Sequence, residues 1–164
     1  MPTLKITALK PTKMPTGAEY AKAMQKAVQK AAALVLKDLE ATTRTWRHKP
    51  PFDVTITQKG GDYSVTAGTD SEIYKFVDSG TKPHQIKPKR SKYLRFSSGF
   101  KAKTRPSIIG SQDGGSFGDA IYSKGVKHPG TKARQFTKVI ATRRQKTVEQ
   151  EISQAIAKIV RTQT

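Results

Sequence analysis

The side chains with the widest chemical range in this sequence are three histidines, His48, His84 and His128. Three imidazoles could hold a zinc ion with water in the fourth position and activate that water for hydrolysis. Two of the three stand beside prolines, in Lys82-Pro83-His84 and His128-Pro129-Gly130. In such turns a ring nitrogen more often bonds a nearby backbone group and shapes the loop. The 12 Asp and Glu residues are scattered, with no pair spaced for glycosidase-like or two-metal work. The chain has no cysteine, which removes thiol nucleophiles, disulfides and Cys-based zinc sites together. Gly114, Gly115 and Gly118 are followed by no G-K-[ST] and open no helix, so they are not a phosphate loop. The expectation is a protein that is not an enzyme and carries no cofactor and no metal.

Charge is the stronger signal. The formal net charge is +19, from 31 Lys and Arg against 12 Asp and Glu. Residues 87–110 hold eight of the basic groups and no carboxylate: Lys87, Lys89, Arg90, Lys92, Arg95, Lys101, Lys103 and Arg105. Interleaved with Tyr93, Phe96 and Phe100, they form the mixture that tracks a phosphate backbone, with no base readout implied. Such a run repels itself in isolation, so an anion is expected to face it, either DNA phosphate or an acidic partner subunit. The plain alternative is a solvated basic loop on a basic protein.

Two stiff corners bracket this run. In His128-Pro129-Gly130-Thr131, proline presets φ at the second place and glycine permits positive φ at the third, the signature of a type II turn. Gly80-Thr81-Lys82-Pro83-His84 turns the chain similarly, because Pro83 pushes Lys82 out of the helical region. Lys132 and Arg134 follow the second corner, at the start of an expected helix, where cations oppose the helix dipole by about 0.3–1 kcal/mol each. A carboxylate or phosphate from a partner is expected beside them.

These corners also carry a resemblance. The order Val77-Asp78-x-Gly80-Thr81-x-Pro83-His84-x-Ile86-x-Pro88-Lys89, then Leu94-Arg95-Phe96, then Val126-x-His128-Pro129-Gly130-Thr131-x-Ala133-x-x-Phe136, is similar to the tail-component family of lambda-like long-tailed bacteriophages, also described as tail completion or neck proteins. It covers roughly residues 18 to 162. Ser79 stands where that family commonly has an aromatic, and Gln135 where it commonly has a proline. The resemblance implies a virion protein made in the host cytoplasm. It would form a homo-oligomeric ring of six or twelve copies that joins the head connector to the tail tube around the DNA channel. From another class, the alternative is a non-sequence-specific nucleic-acid-binding protein; a nuclease ranks third.

Helices and strands must position these groups. Leu4, Ile6 and Ala8 alternate with polar residues over 3–9, as in a strand, and Pro11 and Pro15 follow. This N-terminal arm, residues 1–15, is either a frayed terminus or a strand that pairs with another chain. Thr16-Gly17-Ala18-Glu19 reads as a capping box. Tyr20, Met24, Val28, Ala31, Val35, Leu39 and Trp46 then share one helical face up to Lys49-Pro50-Pro51. Lys22, Lys26, Lys30 and Lys37 fall off that stripe, on a solvated or inter-subunit face. Val54–Thr57 and Tyr63–Thr66 read as a hairpin turning at Gly60-Gly61. Residues 71–77 read as a short helix or turn, 93–96 and 120–123 as further strands, and 133–161 as a last helix with a polar interruption over 142–146. The Gly/Ser/Lys-rich stretch 98–119 is expected to be a flexible loop.

The expected fold class is therefore α+β: two long helices packed on one face of a small, mainly antiparallel sheet, with a long basic loop. Residues 16–164 would form a single domain. No apolar run is long enough to span a bilayer, and the first ten residues do not read as a secretory signal, so no membrane partner is expected.

Overall fold

The computed structural model describes residues 2–8, 17–59 and 62–162. Thr16 of the expected capping box, Pro11, Pro15 and the Gly60-Gly61 turn lie outside them. The elements run β1 (Thr3–Ala8), α1 (Ala18–Thr42), β2 (Asp53–Lys59), β3 (Asp62–Gly68), α2 (Glu72–Ser79), β4 (His84–Ile86), β5 (Leu94–Lys101), β6 (Gly115–Ser123), β7 (Val126–His128) and α3 (Phe136–Thr162).

The picture of two helices laid across one sheet is overturned. Strand pairing is divided among three separate antiparallel sheets, β1-β3-β2, β4-β7 and β5-β6. The helices α1 and α3 pack chiefly against each other, with α3 also lying along β1. The sheets stay apart because the corners commit the chain before it can extend the first sheet. Thr81 pairs with Thr131, so β4 starts beside β7 and not beside β1 or β2.

The three-stranded sheet is built on alternation. In the central strand β3, Tyr63, Val65 and Ala67 are buried, and Leu4 and Ile6 of β1 sit opposite Ala67 and Val65 on the same face. Residues 3–8 are thus paired within their own chain, in place of the frayed terminus that was one of the two expectations for this arm. Burying Leu4 and Ile6 is worth about 1.5–3 kcal/mol each, which together with the ladder to β3 offsets the cost of ordering a six-residue edge strand.

Met24, Val28, Ala31, Val35 and Leu39 of α1 face Phe136, Ile140, Val148 and Ile152 of α3 across this core. Inside the α3 stripe, the polar stretch 142–146 breaks neither the helix nor the packing. Arg144 reaches across to Asp38 of α1 with two parallel hydrogen bonds, Nε to Oδ2 at 2.7 Å and a terminal guanidinium nitrogen to Oδ1 at 2.8 Å. Both side chains are nearly buried, and the hydrogen bonds to Asp38 hold the Arg144 guanidinium above its ordinary pKa. Lys30 of the expected lysine face bridges the same helices through Glu151 at 2.7 Å, while Lys22, Lys26 and Lys37 are exposed.

α1 ends at Thr42, earlier than the prolines require. Thr42 and Thr43 turn their hydroxyls back onto the carbonyls of Leu39 and Glu40, which offers those acceptors an alternative to the next helical turn. Trp46 therefore leaves the helix and joins a cluster around Tyr74, with ring centroids at 6.2 Å, alongside Phe52 at 5.1 Å edge-on and Phe136 at 6.0 Å. Tyr74 is completely buried, and that burial pushes its phenol well above its ordinary pKa. The cluster ties the end of α1, the start of β2, α2 and the start of α3 into one block, directly beneath the first corner.

Candidate functional site

The two corners close on each other. The Thr81 amide donates to the Thr131 carbonyl at 2.9 Å, and the Thr131 amide returns a bond to the Thr81 carbonyl at 3.1 Å and to its hydroxyl at 2.9 Å. Gly80 and Gly130 have φ of 76° and 88°, the second matching the turn chemistry of Pro129-Gly130. Each glycine also lies against the opposite corner. A Cβ on Gly80 would stand 2.6 Å from the Thr131 carbonyl oxygen, and one on Gly130 2.2 Å from that of Thr81. The pair forms a clasp at the base of the excursion that runs from Lys82 to Gly130.

His84 and His128 are opposite each other on β4 and β7, with ring centroids 5.0 Å apart. His84 donates through Nδ1 to the Lys82 carbonyl, and His128 Nδ1 accepts from the Gly130 amide. Both rings thus brace their own corners. Among the described residues no group of three His, Asp or Glu side chains could hold a metal ion, and His48 lies at the rim of a neighbouring cleft.

A carboxylate of this chain already caps the start of α3, the helix that Lys132 and Arg134 precede. Asp78, nearly buried at the end of α2, accepts from the Thr137 amide at 3.2 Å and from the Thr137 hydroxyl at 2.7 Å. Its carbonyl takes the amides of Arg134 and Gln135. One residue thus supplies the N-terminal cap of α3 and the counter-charge to its dipole. Arg134 is turned inward, donating to the Thr104 hydroxyl and the Lys132 carbonyl. Gln135 takes φ of 56°, which proline cannot adopt, so this chain enters α3 by a path different from the one a proline would impose.

Residues 98–119 are not a loop without order. β5 continues to Lys101, β6 starts at Gly115, and the two pair over Leu94–Lys101 with an irregularity opposite Ser98. The connection between them is bonded to the body. Lys103 Nζ donates to the Thr45 carbonyl, the Thr45 amide to the Ser111 hydroxyl, and the Ser107 amide to the Arg134 carbonyl. The excursion is an arch, held at its base by the clasp and at its far turn by the ends of α1 and α3. A cleft of 420 Å³ opens beneath it, lined by Trp46, Ile73, Val77, Phe100 and His128 among others.

The eight basic residues are only partly brought together. Lys87, Lys89, Arg90 and Lys92 occupy the exposed link between β4 and β5, and Arg95 and Lys101 are exposed on β5. Lys92 stands over the Tyr93 ring at 5.8 Å, and Arg105 is exposed in the far turn. Lys103 does not belong with them, because its ammonium is spent on Thr45. None of the eight has a carboxylate within ion-pairing distance among the described residues.

Sequence reasoning missed the large apolar content of the arch. Phe100 is 73% exposed, Phe117 60% and Tyr122 63%, on a ribbon with no third strand among the described residues. The alternation of Arg95-Phe96-Ser97 and Phe117 to Tyr122 carries that signal, but Gly99 and Gly118 interrupt it. On α2, Ile73 and Phe76 are likewise uncovered, at 65% and 52%. No described helix is long and apolar enough to cross a membrane. Comparison of the chain with protein-family models, with curated proteins and with solved structures gives no match.

Proposed function

We propose that this protein is a structural assembly subunit, a neck or tail-completion component of a long-tailed phage. On this reading it forms a homo-oligomeric ring between head connector and tail around the DNA channel. The observation that carries the reading is the β5–β6 ribbon. An isolated two-stranded ribbon is marginal in water, and stability ordinarily requires a further strand or a packed face. This one leaves Phe100, Phe117 and Tyr122 uncovered while its base and far turn are fastened to the body. A ribbon held firmly with its aromatics in solvent is suited to receive another chain. The clasp formed by Gly80, Thr81, Pro83, His84 and His128-Pro129-Gly130-Thr131 is the stretch that resembles the phage family, and it closes the base of the arch that carries the ribbon.

Mass measurement of purified protein together with image class averages tests this directly. Closed rings are the expected result, and a solitary molecule at every concentration, indifferent to connector and tube proteins, overturns it.

One observation favours a second reading, non-specific nucleic-acid binding. Lys87, Lys89, Arg90 and Lys92 are consecutive exposed cations with no carboxylate beside them. If they engage phosphate, affinity for DNA falls steeply with salt, by a slope near 0.9 per phosphate contacted. Flat salt dependence excludes it.

A further inference from the structure

The ribbon has two unlike faces. Register and alternation put Leu94, Phe96, Phe100 and Ile121 on one, and Arg95, Lys101, Phe117 and Tyr122 on the other. The position of Gly99 agrees with this, since a Cβ there would strike the Phe117 ring. Phe100 lines the cleft together with Ile73 of α2, so the end of the apolar face at Phe100 is on the side of the body, although Phe100 remains largely exposed. The basic aromatic face is turned away from this chain's own α2, which therefore cannot cover it. Between Tyr122 and Phe117 that face carries Ser97 and Ala120, which are paired directly and small.

A matching surface exists elsewhere on the same molecule. The stretch 51–79 has an acidic excess, five carboxylates against Lys59 and Lys75, and its Asp53, Asp70 and Glu72 are exposed. Asp53 pairs with Gly68 on β3, two residues before Asp70, so the three carboxylates gather at one end of the sheet, where α2 begins. Next to them α2 exposes Ile73 and Phe76, three residues apart on one side of the helix. Three carboxylates and two exposed apolar side chains, with Lys75 also on this helix, answer two cations and two rings on the ribbon.

From this complementarity we infer that the outward face of the β5–β6 ribbon docks the α2 edge of a second copy of this chain. The two surfaces differ, so the contact is head-to-tail and closes into a ring when the rotation allows. This rests on the ring reading above and assigns it an interface.

Charge reversal tests it. R95E/K101E on the ribbon and D70K/E72K on the α2 edge change only exposed side chains, and circular dichroism verifies that each variant folds. Each alone weakens self-association by about 100-fold, because like charges then face each other. Mixing the two variants restores assembly, since the reversed ribbon then meets the reversed edge and the native ribbon meets the native edge. The four-fold variant, carrying both reversals in one chain, assembles by itself. Rings that form unchanged in each single-surface variant overturn this interface while leaving the ring reading standing. Loss of assembly in each variant without rescue on mixing overturns the pairing of these two surfaces. A wild-type protein that is monomeric at all concentrations overturns both. Loss of DNA binding in R95E/K101E with self-association unchanged assigns this face to phosphate and overturns the proposal.

Discussion

Replacing Asp78 with alanine is the sharpest test of how the arch is fastened to the body. The carboxylate accepts two hydrogen bonds from Thr137, at 3.2 Å from its amide and 2.7 Å from its hydroxyl, and is itself nearly buried. Loss of a helix cap costs about 0.5–2 kcal/mol. The Thr137 hydroxyl, half-buried and left without its charged acceptor, adds about 1 kcal/mol. The expected destabilisation of Asp78→Ala is about 2–3 kcal/mol, which for a chain of this size lowers Tm by roughly 5–10 °C. Asp78→Asn keeps an acceptor and loses the charge, and about 1 kcal/mol is expected. Urea unfolding of dilute protein, followed through Trp46 fluorescence and helical ellipticity, reads both. In a Thr137→Val background the Asp78→Ala step should cost about 1 kcal/mol less, because the pair shares one bond. A change below about 0.5 kcal/mol for Asp78→Ala, or strict additivity with Thr137→Val, refutes the assignment of Asp78 as the cap of α3.

Arg144→Ala strands the nearly buried Asp38 carboxylate and should cost about 3–5 kcal/mol, whereas replacing both partners with leucine and methionine should cost far less; denaturant midpoints of the three proteins decide it. Gly130→Ala places a methyl 2.2 Å from the Thr81 carbonyl at φ of 88°, so a loss of more than about 3 kcal/mol or failure to fold is expected, with thermal unfolding as the readout. Burial raises the Tyr74 phenol, so the folded state keeps it neutral above pH 10 while the unfolded state ionises. Its contribution to stability is therefore intact below pH 10 and declines by about 1.4 kcal/mol per pH unit above it. Alkaline absorbance titration should show a phenol that ionises only on unfolding, and Tyr74→Phe should remove it.

What could be read beforehand was local. Pro129-Gly130 fixes its own turn, and the spacing of Met24, Val28, Val35 and Leu39 fixes one face of α1 without reference to any other element. What could not be read joins distant residues. Asp78 and Thr137 are 59 residues apart, Asp38 and Arg144 are 106 apart, and no periodicity relates them. Arg144 looked like an interruption because an arginine within an apolar stripe carries no mark of its partner. Lys103 looked like its basic neighbours because charge alone does not say whether an ammonium meets water or the Thr45 carbonyl. Residues 93–96 and 120–123 read as strands, but the far half of the β5–β6 ribbon was hidden by its own glycines. Gly99 removes a side chain where Phe117 lies over the strand, and the irregularity near Gly118 shifts the alternation by which the strand would be recognised.

The same long-range links bear on the assembly surface proposed above. A flexible basic loop ordering on contact would lose conformational entropy for each residue fixed, and that cost would fall on the interface. Here the cost is met during folding. The clasp fixes the base of the arch through Thr81 and Thr131, Asp78 fixes the clasp to α3, and Tyr74 packs α2 against the ends of both long helices. Lys103, Ser107 and Ser111 fix the far turn to those same helix ends. The ribbon's outward face and the α2 edge are therefore held in one geometry by shared supports. In a head-to-tail ring the angle between those two surfaces determines how many copies close the circle, so stiffness between them sets subunit number as well as affinity. Loosening the clasp with Thr81→Ala, which removes the hydroxyl that accepts from the Thr131 amide and leaves the charged surfaces intact, should broaden the distribution of ring sizes before it abolishes association.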